Sequence, residues 1–175
     1  MAQIIKASVK ERFNKWYVKP LCFLQNSVSG GDGAVVALMT VLPLYERFVL
    51  NEIGGNDSKR PPFVQKDLKL KSLKESCVFW NVFRDGLCHT GHFFEQSSKS
   101  LEKEWVLPKV SLAGSNPPLP VFDIDPTTHK EVIYVNPWGL VSHIMDKYKN
   151  NTKLMEKSGA PLIPLYYIIE DRKPQ

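Results

Sequence analysis

The sequence predicts a mainly α-helical protein with a small β-hairpin late in the chain. Three observations support this fold class. Apolar residues recur every three or four positions through most of the first hundred residues, which is typical of packed helices. Beyond residue 106, prolines interrupt this pattern, and two short apolar runs then flank a turn-like insert. An apolar fraction of 43% is sufficient for a packed core, which argues against intrinsic disorder.

Two long helices are predicted in the N-terminal third of the chain. Residues 2–18 carry apolar side chains at helical spacing, and Pro20 is expected to end or kink this helix. A loop rich in Ser, Gly and Asp follows, in which Asp32 is a suitable N-cap for the next helix. That second helix spans residues 33–53 and stops at Gly54. Because it is apolar on most sides, we expect it to be buried in a bundle.

The middle of the chain predicts a short helix and then a long one. Residues 63–71 form the short helix, after a polar and basic loop. Residues 73–95 form the long helix, with apolar positions spaced by three, four and seven. Gly86 lies inside this helix and indicates close packing against another backbone.

The last third of the chain predicts the hairpin and one further helix. Residues 121–124 and 131–135 are the two strands, separated by a turn-like insert. Asn136 then caps a helix whose first residue is Pro137 and which runs to about residue 150. Residues 162–169 are apolar and form a candidate strand.

No strong domain boundary is visible. We therefore expect a single domain over residues 1–175, with a helical core over 1–106 and an accessory hairpin and helix over 107–175. Residues 107–120, which are rich in proline, are the best candidate for a linker.

Charge and cysteine content indicate a soluble cytoplasmic protein. The three cysteines form no disulfide framework, and no signal peptide is evident. The longest apolar stretch has 11 residues (34–44), whereas a membrane span needs about 20, so we expect no membrane association. The net charge of +5 lies entirely in residues 1–75, which carry twelve basic and seven acidic side chains, while residues 76–175 carry eleven of each.

One short motif suggests a chemistry. The run NVFRDGLCHTGHFF over residues 81–94 places Arg84 five positions before His89, with Asp85 directly after the arginine. This run resembles the HEPN (higher eukaryotes and prokaryotes nucleotide-binding) superfamily, whose helical bundles often carry an Arg-x4–6-His motif. In that motif the residue directly after the arginine is often Asn, Asp or His. Residues 133–149 resemble, less closely, an accessory hairpin and helix found in some such proteins.

The resemblance implies a HEPN-like helical bundle that acts as a metal-independent ribonuclease or RNA-binding homodimer in the cytoplasm. It also implies an antiphage-defence or toxin-like role with an antitoxin or defence partner, and no cofactor. His89 is then the acid or base, because its ordinary pKa lies near neutrality. Arg84 is the phosphate clamp. Asp85 lies one helical turn before His89 and is expected to orient its ring.

Arg84 and His89 lie about 140° apart around an ideal α-helix, so one subunit's pair need not converge on one phosphate. A symmetric dimer would supply both groups twice at one cleft. The segment before the motif, residues 59–74, carries six basic side chains and one acidic side chain. Four of its lysines are the candidate RNA-binding residues: Lys66, Lys69, Lys71 and Lys74. A solvated loop and helix face is the other interpretation of this segment.

Three alternatives remain open. Arg84 is also suited to an ion pair with an acid on a neighbouring helix, such as Glu46. The rival function is a non-catalytic helical module for dimerisation or partner binding. Asp85, His89 and His92 share a helix face at a spacing that can bind zinc or iron, although no second ligand cluster accompanies them. Cys88 beside His89 is a poor nucleophile–base pair, since adjacent helical residues point about 100° apart.

Overall fold

The predicted fold class, mainly helical with a small late sheet, is confirmed. The structure is a computed structural model that describes residues 8–27, 30–88, 119–124, 126–127, 129 and 131–157. Within these ranges it contains six helices and one two-stranded antiparallel sheet. The first residues of the predicted N-terminal helix, the end of the long helix and the candidate strand at 162–169 lie outside the described residues.

Helix α1 continues through Pro20 and does not end there. It comprises Val9–Phe13, a π-helical segment Asn14–Val18 and Lys19–Asn26. Its start is set by a capping box, in which Ser8 and Glu11 bond each other's backbone N–H groups. Pro20 is the second residue after the π-helical segment, where the bonding to the carbonyl five residues earlier already departs from the regular α-helical ladder that a proline interrupts.

Helix α2 (Gly30–Glu52) starts three residues before the predicted position. Asp32 therefore lies inside the helix, and its predicted role as N-cap is wrong. A Cβ added at Gly33 would lie 3.4 Å from the Leu24 side chain, so the small residues allow α2 to pack closely against the end of α1. The predicted end is confirmed, since Gly54 and Gly55 both adopt the positive φ that favours glycine.

By length and composition, residues 33–52 of α2 could cross a membrane. About half of this stretch is buried inside the protein, and the core helix of a soluble protein meets the same criteria of length and composition.

Two helices follow α2. A 3₁₀ turn at Asp57–Lys59 leads into α3 (Arg60–Asp67), which lies earlier in the chain than the predicted 63–71. Leu68 ends α3, and Lys69 takes a positive φ of 55°. Helix α4 begins at Leu73, as predicted, after the N-cap Ser72, and its first part runs to Phe79. It then continues as a π-helical segment, Trp80–Leu87, which the sequence pattern did not predict.

The hairpin and its capped helix are confirmed. Strand β1 (Val121–Ile124) pairs with β2 (Glu131–Tyr134), with Phe122 opposite Ile133. The Asn136 side chain accepts a hydrogen bond from the N–H of Gly139 at 2.9 Å, so helix α5 (Pro137–Tyr148) begins where expected. An unpredicted short helix, α6 (Thr152–Lys157), follows.

One hydrophobic core joins the N-terminal helices to the hairpin and α5. Helix α2 lies at its centre and packs against α1, α4 and α5, with side chains such as Leu38, Val41 and Val49 fully buried. The Tyr148 hydroxyl donates to the carbonyl oxygen of Leu44 at 2.7 Å, and its ring stacks on Phe13. This packing places the polar end of α2, which carries Glu46, beside the π-helical part of α4.

Candidate functional site

Arg84 is held between two carboxylates where α4 packs against α2. Its Nη2 lies 2.7 Å from Oε1 of Glu46, and its Nη1 lies 2.7 Å from Oδ1 of Asp85. The predicted alternative, an ion pair between Arg84 and Glu46 of a neighbouring helix, is therefore confirmed. Asp85 accepts a hydrogen bond from this guanidinium through Oδ1.

The three charged groups are partly accessible. The side chains of Arg84 and Glu46 are each 24% exposed, and that of Asp85 is 46% exposed. Burial alone lowers the pKa of Arg84, but the hydrogen bonds to Asp85 and Glu46 outweigh burial and raise it. The guanidinium is thus permanently charged and fixed in orientation, in a cluster of one positive and two negative charges.

The π-helical segment changes the geometry around the motif. In a π-helix each N–H bonds the carbonyl five residues earlier, rather than four. Residues five apart therefore lie closer to one face than the 140° separation expected for an ideal α-helix. Arg84 lies within this segment, which ends at Leu87. His89 lies outside the described residues, so its distance from Arg84 and its contact with Asp85 stay predictions.

Cys88 is a weak nucleophile in this environment. Burial raises the pKa of its thiol to about 11, and the carboxylates of Glu46 and Asp85 act in the same direction against the opposing charge of Arg84. For the metal alternative, His89 and His92 lie outside the described residues. Among the residues that the structure describes, no group of three or more His, Cys, Asp or Glu side chains is arranged to hold a metal ion.

The four candidate RNA-binding lysines lie from the end of α3 to the first turn of α4, and all are exposed. Lys66 is in the last turn of α3, and Lys69 follows that helix. Lys71 donates its backbone N–H to the Glu75 carboxylate. Lys74 pairs with Glu131 of the hairpin at 3.1 Å, so part of its charge is compensated.

A second polar cluster, centred on Asp67, was missed by the sequence analysis. The Asp67 carboxylate accepts hydrogen bonds from the Tyr45 hydroxyl at 2.9 Å and from Lys147. Nε2 of His143 lies 2.9 Å from the same carboxylate. Burial by itself raises the pKa of Asp67, but the hydrogen bonds from His143 and Lys147 outweigh burial and lower it below its usual range.

The Asp67 cluster joins three helices. Tyr45 belongs to α2, Asp67 ends α3, and His143 and Lys147 lie one turn apart on α5. The i, i+4 spacing on α5 was the one available sequence signal, but nothing in the sequence identified Asp67 as the partner. Tyr45 also packs near Trp80, with ring centroids 6.4 Å apart, so the Asp67 cluster adjoins the helix that carries Arg84.

No known protein family, characterised protein or solved structure matches this chain.

Proposed function

We propose that this protein is a HEPN-like, metal-independent ribonuclease that acts as a homodimer. The observation that carries the proposal is the position of Arg84. It is partly exposed, held in orientation by Glu46 and Asp85, and located in a π-helical segment that ends two residues before His89 in the sequence. Such π-helical segments occur frequently at functional sites. The resemblance of residues 81–94 supplies the reaction class and the setting in defence or toxin-like stress response, with an antitoxin or defence partner.

His89 and Arg84 have complementary roles in this reaction. The 2′-hydroxyl oxygen attacks the adjacent phosphorus as its proton passes to a base, for which neutral His89 is suited. The bond to the 5′-oxygen breaks, and that oxygen receives a proton as it leaves. The products are a cyclic phosphate and a 5′-hydroxyl. Arg84 stabilises the negative charge that accumulates on the phosphoryl oxygens.

Glu46 and Asp85 act on the arginine rather than on the substrate. Two carboxylates at 2.7 Å hold the guanidinium in one orientation, which reduces the entropy lost when a phosphate binds. They also repel that phosphate. RNA binding therefore requires additional positive charge, which the exposed lysines at 66, 69, 71 and 74 provide.

A surface on α2 suits the homodimer. Val36 and Met39 are 52% and 39% exposed, and Pro43 is also exposed. These residues and Glu46 follow one another at spacings of three, four and three, so they lie along one face of α2. A second copy that covers this apolar stripe would bring the two Arg84 positions towards a common interface.

The test is RNA cleavage by the purified protein in EDTA. We expect the unmodified chain to cleave single-stranded transcripts and leave cyclic phosphate ends. Arg84→Lys and His89→Ala should each lower the rate by about a hundredfold or more. Arg84→Lys keeps the charge between Glu46 and Asp85 but loses the planar fork, so loss of activity with an unchanged circular dichroism spectrum separates chemistry from folding.

Matched controls are Arg47→Lys and His129→Ala, both exposed positions outside the site, which should cleave at the unmodified rate. RNA that stays intact with the unmodified protein, or is cut equally by all variants, contradicts the proposal.

A second candidate function is a non-catalytic module for dimerisation or partner binding. The observation that favours it is that both terminal nitrogens of Arg84 already bond carboxylates, and the bond to Glu46 joins α4 to α2 without any substrate. In that case Met39→Lys abolishes self-association or partner binding, measured by sedimentation velocity, while RNA stays intact in every sample.

A further inference from the structure

An open groove of about 680 Å³ lies between α1 and α5, on residues that the proposed ribonuclease site does not use. Phe13 and Leu21 of α1 form one wall, and Trp138 and Met145 of α5 form the other. Met155 of α6 also lines it. Apolar recesses of this size on a protein surface commonly bind a ligand or a segment of chain.

The charges around the groove indicate an apolar occupant. Lys10 and Glu11 of α1 and Asp146 and Lys149 next to Met145 supply two positive and two negative side chains. With the two signs balanced, the rim attracts neither an anionic nor a cationic partner strongly. Selection must then come from the apolar walls.

The sequence contains an apolar segment of suitable length shortly after α6. Residues 162–169 read LIPLYYII, without a charge. The segment begins five residues after Lys157, the end of α6, and five residues can span at most about 17 Å. Eight extended residues cover about 26 Å, and α1 between Lys10 and Gln25, both of which line the groove, covers about 22 Å.

We propose that the groove between α1 and α5 is the docking site for residues 162–169 of the same chain. The short connection from α6 gives the segment a high effective concentration at the groove, so it outcompetes a separate partner of similar composition. Docking removes the walls of the groove and Cys22, which lines it, from solvent.

Two native thiols allow a direct test. Cys22 lines the groove and Cys77 on α4 does not, although both are exposed among the described residues. The modification rate of each thiol by a maleimide is divided by the rate of the same thiol in the urea-unfolded chain. We expect this normalised rate to be at least about tenfold lower for Cys22 than for Cys77 in the intact chain. The rates are read by peptide mass spectrometry.

The double variant Leu165→Asp/Ile168→Asp in the full chain should raise the Cys22 rate about tenfold and leave the Cys77 rate unchanged, because buried carboxylates oppose docking. Lys173→Asp, which changes the charge beyond the apolar segment, is the control and should keep Cys22 protected.

Equal normalised rates for Cys22 and Cys77 in the intact chain overturn the proposal. Protection of Cys22 that survives the double variant also overturns it. Protection that increases with protein concentration assigns the groove to a second copy instead. These outcomes are independent of RNA cleavage and so do not depend on the proposed function.

Discussion

Asp67 shows how a single carboxylate can organise the packing of several helices. Its partners Tyr45, His143 and Lys147 lie 22, 76 and 80 residues away in the sequence. The side chain of Asp67 is only 13% exposed, so it depends on these donors to replace the water that burial removes. The aromatic face of Phe48 lies 5.2 Å from the Lys147 ammonium and adds a cation–π contact.

Replacing Asp67 should therefore weaken the whole fold. We expect Asp67→Asn to lower the free energy of unfolding by about 2 kcal/mol, because hydrogen bonds to a charged group are lost while Lys147 stays partly buried. Urea unfolding at pH 7 measures this. Asp57→Asn is the matched control: its exposed carboxylate lies 3.7 Å from Arg60, so the change should stay below about 0.5 kcal/mol. Equal effects of the two substitutions would refute the importance of the Asp67 cluster.

The lowered pKa of Asp67 also predicts a pH dependence. A carboxyl group whose pKa is lower in the folded state stabilises that state at pH values above its ordinary pKa of 3.8. This contribution is lost as the pH falls below 3.8 and through the folded-state pKa. The difference in unfolding free energy between the unmodified protein and Asp67→Asn should thus shrink on acidification. A difference that stays constant between pH 7 and the acid transition would show that the ionised carboxylate is not the source of the stabilisation.

At the level of secondary structure elements, local sequence signals predicted certain helix ends but did not predict the internal geometry of the helices. Asn136 caps α5 with its side chain, Gly54 and Gly55 end α2 through their positive φ, and both boundaries were predicted correctly. The π-helical segment Trp80–Leu87 was not predicted, because apolar spacings of three and four fit both helix types. It affects the candidate site directly, since Arg84 lies within it.

The cap at Asn136 provides a test at this scale. Asn136→Ala should lower the free energy of unfolding by about 1 kcal/mol, because the N–H of Gly139 loses its acceptor at the start of α5. Thermal and urea unfolding measure the change. Ser142→Ala, at an exposed position in the middle of the same helix, should stay within about 0.5 kcal/mol. If both variants unfold alike, the cap does not stabilise α5.

For the whole molecule, the uneven distribution of charge is the property most closely tied to the proposed RNA binding. The net charge of +5 comes from the first 75 residues, and the four candidate lysines are exposed from the end of α3 to the first turn of α4. The ion pair with Glu131 compensates part of the charge of Lys74, so the positive electrostatic potential is smaller than the sequence alone predicts. The other three lysines should therefore contribute most to attracting a phosphate backbone.

Replacing Lys66, Lys69, Lys71 and Lys74 by Gln should weaken RNA binding and reduce its salt dependence. Each phosphate contact to a single strand contributes about 0.7 to the slope of log affinity against log salt, so the slope should become shallower by about 2 to 3. Fluorescence anisotropy over a salt series measures it. The control has the same change in net charge at exposed lysines elsewhere: Lys15, Lys19, Lys153 and Lys157. Equal slopes in the two variants would assign the effect to net charge alone.

The sequence by itself determined the fold class, the hairpin, the end of α2 and the starts of α4 and α5. These features follow from periodicity, caps, glycines and prolines, which act over a few neighbouring residues. The tertiary structure decided that Asp85 bonds Arg84, that α4 becomes π-helical, and that Asp67 meets His143. The reason is physical: contacts between groups up to 80 residues apart depend on how α2, α3 and α5 pack around one core, and no local pattern specifies that packing.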